Sequence, residues 1–95
     1  MRKMKFQAIA LHEMDNVGVL LVDVQENVKV VVGGQRSLQV VARDDICFGH
    51  KIALMDIEEG GTVRKYGHPI GLASQNIRMG EHVHIHNVRG LRAGT

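Results

Sequence analysis

The chain has 95 residues, 44% of them hydrophobic, and a formal net charge of +2 with histidine counted as neutral. This length suits one domain with a single core, since domains commonly have roughly 100–150 residues. The small charge and the scarcity of aromatic residues argue against a nucleic-acid surface. The basic N-terminus precedes an apolar run too short for a signal peptide or membrane span, and a single cysteine is typical of a reducing compartment. We therefore expect a cytoplasmic protein without membrane or nucleic-acid partners.

Short β-branched segments predict a mainly β domain. Residues 17–24 and 28–32 are separated by the polar QEN, and residues 37–42 follow a pair of glycines. Residues 50–57 lead across EEGG into residues 62–66, which predicts a hairpin with a glycine-rich turn.

The C-terminal half completes the predicted architecture. GEHVHIHNV, residues 80–88, predicts the last strand, and residues 73–79 offer the best helical segment, of one or two turns. We expect six or seven short bent strands, with at most one or two short helical turns. They form one domain over residues 1–95, with an ordered core at residues 8–88 and a flexible tail at residues 89–95.

Four segments share the pattern [DN]-[IV]-x-x-[GN]-x-x-[IV], and we call them corners 1 to 4. An Asp or Asn can start a turn, the Ile or Val anchors it to the core, and Gly or Asn accepts a positive φ. The pattern is loose enough to arise by chance, but four real corners would make the strands bend repeatedly. The segments are DVQENVKV (23–30), DICFGHKI (45–52), DIEEGGTV (56–63) and NIRMGEHV (76–83).

The single cysteine, Cys47, lies in corner 2 between Ile46 and Phe48. No second cysteine exists to form a redox or metal pair with it, and His50 is the only nearby partner. We expect Cys47 to be a buried structural residue that behaves as a small hydrophobic side chain.

His82, His84 and His86 alternate along the last predicted strand and would share one face. Same-face residues are about 6.6–6.8 Å apart along a strand, so two imidazoles can converge on one ion and three do so less easily. The alternatives are a chemical role, a metal site and a solvated strand face. The intervening residues would point to the core: Val83, Ile85 and Val88.

A second polar segment, RKYGHPIG at residues 64–71, gathers basic side chains around two glycines and the only proline. Gly67 and Gly71 would let the backbone approach a ligand, and Pro69 would stiffen the loop. Cationic donors beside groups that titrate near neutral pH suit an anionic, hydroxylated substrate. An ordinary glycine-bounded connection with solvated charges is the alternative.

Taken together, GHK, KYG-PIG and VH-HN in residues 48–88 resemble the SAF-type domain of the altronate and galactarate dehydratases. Stand-alone versions of that domain serve as small subunits of related lyases, including sulfolactate sulfo-lyase. Residues 8–47 resemble the family more loosely, through DNVGVLLVDV and the DDI of corner 2.

The resemblance implies a β-clip fold and an activity shared with a large catalytic subunit. Those enzymes eliminate water or sulfite from a sugar acid or related hydroxy acid, and several need divalent iron or manganese. His82 and His68 stand where variation is expected, so the resemblance assigns them no chemistry. The matched positions are His50, Lys51, Lys65, Tyr66, Gly67, Ile70, Gly71, His84, His86 and Asn87.

The implied lyase needs a base for the proton α to a carboxylate and an acid for the leaving hydroxyl. The catalytic candidates are His84, His86, Lys51 and Tyr66, and the substrate-binding candidates are His50, Lys65, Gly67, Gly71 and Asn87. Any metal at His84 and His86 would need further ligands from the partner, so the isolated chain is expected to bind no metal. The isolated chain is also expected to lack activity and to self-associate. A non-catalytic module that binds a small acid or docks a larger protein is the alternative function.

Overall fold

The computed structural model describes residues 6–90, and that part of the chain contains β-strands and no helix. The mainly β prediction is confirmed. The strands are β1 (Ala8–Ala10), β2 (Val17–Leu20), β3 (Lys29–Gly34), β4 (Leu38–Val41), β5 (Lys51–Ala53), β6 (Thr62–Lys65), β7 (His68–Ala73), β8 (His82–Val83) and β9 (Val88–Gly90).

The predicted number of strands is wrong. Nine strands replace the expected six or seven, because runs such as residues 17–24 bend after four residues instead of continuing. Residues 73–79, the best helical candidate, form no helical turn, which is within the limit of at most one or two turns, because β7 ends at Ala73 and corner 4 follows. Arg89 and Gly90, placed in the expected tail, belong to β9, and the rest of that tail lies outside the described residues. Within residues 6–90, no helix could cross a membrane.

The strands form two sheets. The larger has the order β4-β3-β1-β2-β5-β8, and the smaller has the order β6-β7-β9. Among the strands of residues 6–90, only β1 and β3 pair in parallel. The hairpin predicted across EEGG is wrong, because β5 pairs with β2 and β8, while β6 pairs with β7. The chain leaves the large sheet at corner 3 and enters the small one.

All four corners form, although the opening Asp or Asn of each bonds the backbone of another corner and not its own. The fifth residue of each has a positive φ, between 76° and 94°: Asn27, Gly49, Gly60 and Gly80. The second and eighth positions are buried apolar residues in every corner, so they anchor the turn to the core. The third and fourth positions lie at the exposed tip. The pattern therefore is a structural repeat and not a coincidence.

The corners associate in two reciprocal pairs. In the first pair, Asp23 Oδ1 accepts a hydrogen bond from the backbone N–H of Phe48, and Asp45 Oδ1 accepts one from Glu26, both at 2.8 Å. Val24 and Ile46 form an antiparallel bridge between the two corners. Each opening carboxylate thus caps the tip of the other corner.

The second pair repeats the first. Asp56 Oδ1 accepts from the backbone N–H of Met79, and Asn76 Oδ1 accepts from Glu59, both at 2.8 Å. Each corner pair packs its anchors into its own apolar cluster. The first cluster includes Leu20, Val24, Val30, Ile46 and Ile52, and the second includes Val17, Ile57, Val63, Ile77 and Val83.

Cys47 is exposed, so the expectation that it is buried is wrong. It occupies the third position of corner 2, beside Phe48, whose side chain is 66% exposed. The third and fourth positions of every corner are exposed. Corner geometry, and not the apolar character of the side chain, therefore determines the exposure of Cys47.

Candidate active site

The last predicted strand is shorter than expected, and this changes how its histidines are presented. β8 ends at Val83, and the following residues 84–87 form a turn. Ile85, expected in the core, is 84% exposed. Asn87 causes the turn: its side chain is 2% exposed, its Oδ1 accepts from the His84 N–H, and its Nδ2 donates to the His82 carbonyl, both at 2.9 Å. Two hydrogen bonds between the Asn87 side chain and the backbone thus hold the chain in a turn where a longer strand was expected.

Four imidazoles converge beside this turn, and we call His50, His82, His84 and His86 the histidine cluster. The rings of His50 and His84 stack with centroids 4.4 Å apart and an interplanar angle of 7°. His82 lies 5.1 Å from His50, 5.4 Å from His84 and 5.2 Å from His86, between ring centroids. His50 is the sixth residue of corner 2. The pairing of Lys51 with Val83 brings that corner beside the turn. The histidines lie close together as expected, although His84 and His86 do not lie on a strand.

His82 makes the most specific contact in the histidine cluster. Its Nε2 lies 2.9 Å from Nδ1 of His50, a hydrogen-bond distance in which one nitrogen donates and the other accepts. Two protonated rings would bring two N–H groups face to face, so this pair cannot be fully protonated without separating. The family resemblance assigned His82 no chemistry, and its contact partner is 32 residues away.

The electrostatic environment favours neutral imidazoles. Burial lowers the pKa of His82, and the charges of the other three cluster rings act in the same direction. Asp44 acts in the opposite direction, and its Oδ2 accepts the His82 backbone N–H at 2.9 Å. A neutral ring can accept a proton, which a general base requires.

Desolvation also lowers the pKa of His84, the most prominent catalytic candidate of the sequence. The neighbouring charges that lower it further are His50, Lys51 and His86. His84 is thus surrounded by groups that become or remain cationic, and it loses its proton more readily than a free imidazole.

Two lysines extend this basic surface. The pKa of Lys51 is lowered first by burial and then by the charge of Lys65. Lys65 Nζ lies 4.7 Å from the centroid of the Tyr66 ring, a cation–π contact. The charge of Lys51 also lowers the pKa of His84, so basic groups of β5, of the β6–β7 hairpin and of the turn after β8 influence one another.

The segment at residues 64–71 is a β-hairpin and not a loop. Lys65 pairs with His68 across a turn in which Tyr66 has a φ of 57° and Gly67 a φ of 80°. Two successive positive φ values match a type I′ turn. A Cβ on Gly71 would lie 2.5 Å from the Val88 side chain, so this glycine makes room for β9. Whether either glycine also contacts substrate stays a prediction.

A small groove borders the histidine cluster. It is lined by Lys51, Ile70, His84, Ile85, Val88 and Gly90, has a volume of about 190 Å³ and is open to solvent. Ligand pockets in proteins usually have volumes of roughly 300–1,000 Å³ and surround most of the ligand. The groove can therefore contact part of a small acid but cannot enclose it.

The described residues do not form a complete metal site. Within residues 6–90, no three His, Cys, Asp or Glu side chains converge in an arrangement that could hold an ion. The Nδ1 of His50 and Nε2 of His82 face each other, whereas the other two rings stack or tilt against them.

This all-strand domain, with its paired corners and surface of imidazoles and lysines, is consistent with the β-clip class. Residues 6–91 match the family described as Altronate/galactarate dehydratase SAF domain. The chain therefore belongs to that family.

The curated relatives are of two kinds. The chain is 48% identical over 83 residues to altronate dehydratase of Escherichia coli (strain K12), and 44% identical over 81 residues to that of Bacillus subtilis (strain 168). It spans only 16% of the length of each of these two enzymes. It is 42% identical over 87 residues to (2R)-sulfolactate sulfo-lyase subunit alpha of Chromohalobacter salexigens, covering 86% of this chain and 93% of that subunit. One domain therefore occurs both within long dehydratases and as a short lyase subunit.

Proposed function

We propose that this protein is the small subunit of a lyase that eliminates water or sulfite from an anionic hydroxy acid. The observation that carries the proposal is its match to 93% of the length of a sulfo-lyase alpha subunit, at 42% identity. An aldonic or aldaric acid is the expected substrate class, because two relatives are named altronate dehydratases.

A large catalytic subunit would complete the active site. The groove beside the histidine cluster is open and small, so a second surface has to close over the substrate and exclude water. The name "subunit alpha" of the sulfo-lyase relative supports a partner of this kind. The expected divalent iron or manganese would belong to the assembled enzyme. The proposed compartment is the cytoplasm, from the single cysteine.

Within the assembled site, His84 or His86 would act as the base that removes the proton α to the carboxylate. Its lowered pKa keeps His84 neutral at neutral pH, which supports this role. Lys51 or Tyr66 would assist departure of the leaving group, and Lys65 would bind the carboxylate. His50 would contact substrate beside them, and Asn87 would hold the turn.

The experiment is affinity purification of the tagged chain from native extract, followed by assays with altronate, galactarate and (2R)-sulfolactate. We expect a much larger lyase subunit to copurify, and the complex but not the isolated chain to be active. Activity of the isolated chain would contradict the shared active site. Binding of an acid without turnover, by a chain that captures no large subunit, would instead support a non-catalytic binding module.

A further inference from the structure

Two consecutive polar residues hold the β6–β7 hairpin against the large sheet. Asp15 and Asn16 lie directly before β2. Asn16 Oδ1 accepts from the backbone N–H of Arg64 at 2.7 Å, and its Nδ2 donates to the Thr62 carbonyl at 2.8 Å. Because β6 is an edge strand of the small sheet, this side chain satisfies backbone groups that have no neighbouring strand.

Asp15 binds the turn of the same hairpin. Its side chain is 1% exposed, its Oδ1 accepts from the Gly67 N–H at 2.7 Å, and its Oδ2 accepts from the His12 N–H at 3.2 Å. A buried carboxylate is costly unless it is hydrogen-bonded, so these two contacts are what make its position tolerable. The carboxylate therefore ties the β1–β2 connection to the hairpin turn.

The turn that Asp15 holds has an unusual backbone. Tyr66, a bulky residue, has a φ of 57°, a left-handed conformation that L-residues disfavour. A Cβ on Gly67 would lie 2.7 Å from the ring of His12, so the turn and the connection are in direct contact. Such a backbone persists only where surrounding contacts determine it.

We propose that Asp15 is a positioning residue that fixes the Tyr66–Gly67 turn and thereby the position of Lys65, a predicted substrate-binding residue. Lys65 immediately precedes the fixed turn, and its ammonium group lies over the Tyr66 ring. The charge of Lys65 also lowers the pKa of Lys51, after the larger effect of burial. Lys65 in this position would bind the carboxylate of the substrate. This last step rests on the proposed function, whereas the positioning of Lys65 does not.

The test uses the full-length chain with Asp15→Asn, observed by NMR. In Asn, an NH2 group replaces one of the two oxygens that accept these N–H groups, and the remaining oxygen is uncharged, so the Gly67 N–H loses its charged acceptor in either orientation of the amide. The matched control is Asp56→Asn, because Asp56 uses one oxygen only and Asn76 fills the equivalent place in corner 4. Lys65→Met serves as the reference for complete loss of the Lys65 charge.

In Asp15→Asn, we expect the Gly67 amide to exchange about tenfold faster or more, as a lost hydrogen bond to a charged acceptor predicts. We also expect the pKa of Lys51 to rise, as it should in Lys65→Met. Asp56→Asn should change neither the exchange rate of the Gly67 amide nor the pKa of Lys51. Unchanged Gly67 exchange and an unchanged Lys51 pKa in folded Asp15→Asn would overturn the proposal. If that variant does not fold, Asp15→Glu displaces the carboxylate by one methylene and is judged by the same two measurements.

The assembled enzyme separates this proposal from the proposed function. In an active complex, Asp15→Asn should raise KM severalfold with a smaller effect on kcat, because Lys65 is expected to bind substrate. A wild-type complex without lyase activity would refute the proposed function and leave the NMR result for Asp15 unaffected. A change in kcat alone would contradict a role for Asp15 through Lys65.

Discussion

Nδ1 of His50 and Nε2 of His82 lie 2.9 Å apart, although the two residues are separated by 32 positions in the chain. The contact joins corner 2 to β8, and it places two titratable rings where they can share one proton. It also links the stability of the domain to the protonation of a site that is expected to act in proton transfer.

Native stability should therefore decrease as the pH falls below about 6.5, the ordinary pKa of histidine. The pKa values of His82 and His84 are lowered in the native state, so the unfolded chain binds protons first as the pH decreases. The loss begins near the unfolded pKa and ends once the pH is below the native values. Denaturant titrations from pH 8 to pH 5 measure it, and His82→Gln should reduce the slope whereas His68→Gln should not. Equal slopes for all three proteins would refute the link.

His84→Ala should lower turnover of the reconstituted complex about 10²-fold or more, the usual scale of a general acid or base. His86→Ala should also lower turnover. His68→Ala is the control and should change turnover little, because His68 lies in the β6–β7 hairpin, outside the histidine cluster. Assembly is measured separately by gel filtration. Equally small effects at His84, His86 and His68 would mean that the histidine cluster has no catalytic role.

Asn87→Ala should lower the free energy of unfolding by about 1–3 kcal/mol, because it leaves the His84 N–H and the His82 carbonyl without their side-chain partner. Chemical denaturation measures the change. Ser74→Ala is a suitable control, since the Ser74 side chain is exposed and the contact of Ser74 with Asn87 is made by its backbone. A variant as stable as the wild type would show that the turn after β8 does not depend on Asn87.

Gly60→Ala should destabilise the domain by about 1–2 kcal/mol through backbone conformation alone. Gly60 has a φ of 85°, and a Cβ built on it meets nothing within 4 Å, so no clash contributes. Asn27→Gly tests the same corner position in reverse and should be neutral or slightly stabilising. Comparable destabilisation by both substitutions would argue against a shared conformational requirement.

Cys47 should react with a thiol reagent in the native protein without prior unfolding, since it lies at an exposed corner tip. Cys47→Ser should change the free energy of unfolding by no more than about 0.5 kcal/mol, as for most surface substitutions. A thiol that reacts only after unfolding would contradict the exposed position.

Much of the fold follows from local chemistry that the sequence displays. Each corner needs an Asp or Asn to accept a backbone N–H, an aliphatic anchor and a residue that tolerates positive φ, and these requirements recur at fixed spacing. The mainly β class, the four corners and the family resemblance were therefore predictable. Asp23 and Asp45 looked like residues that start their own turns, but in the structure each caps the other's corner, a pairing that no local pattern specifies.

The arrangement of the site was decided by tertiary contacts. Alternating histidines indicate one face only if the strand continues, and the side chain of Asn87 ends it at Val83, which turns Ile85 outward. Cys47 has an apolar side chain in an apolar neighbourhood of the sequence, yet the corner geometry exposes it. His82 joins the histidine cluster because β5 and β8 pair and bring His50 beside it. The sequence by itself thus determined the local turns and the type of chemistry available, whereas long-range backbone pairing determined which titratable groups meet.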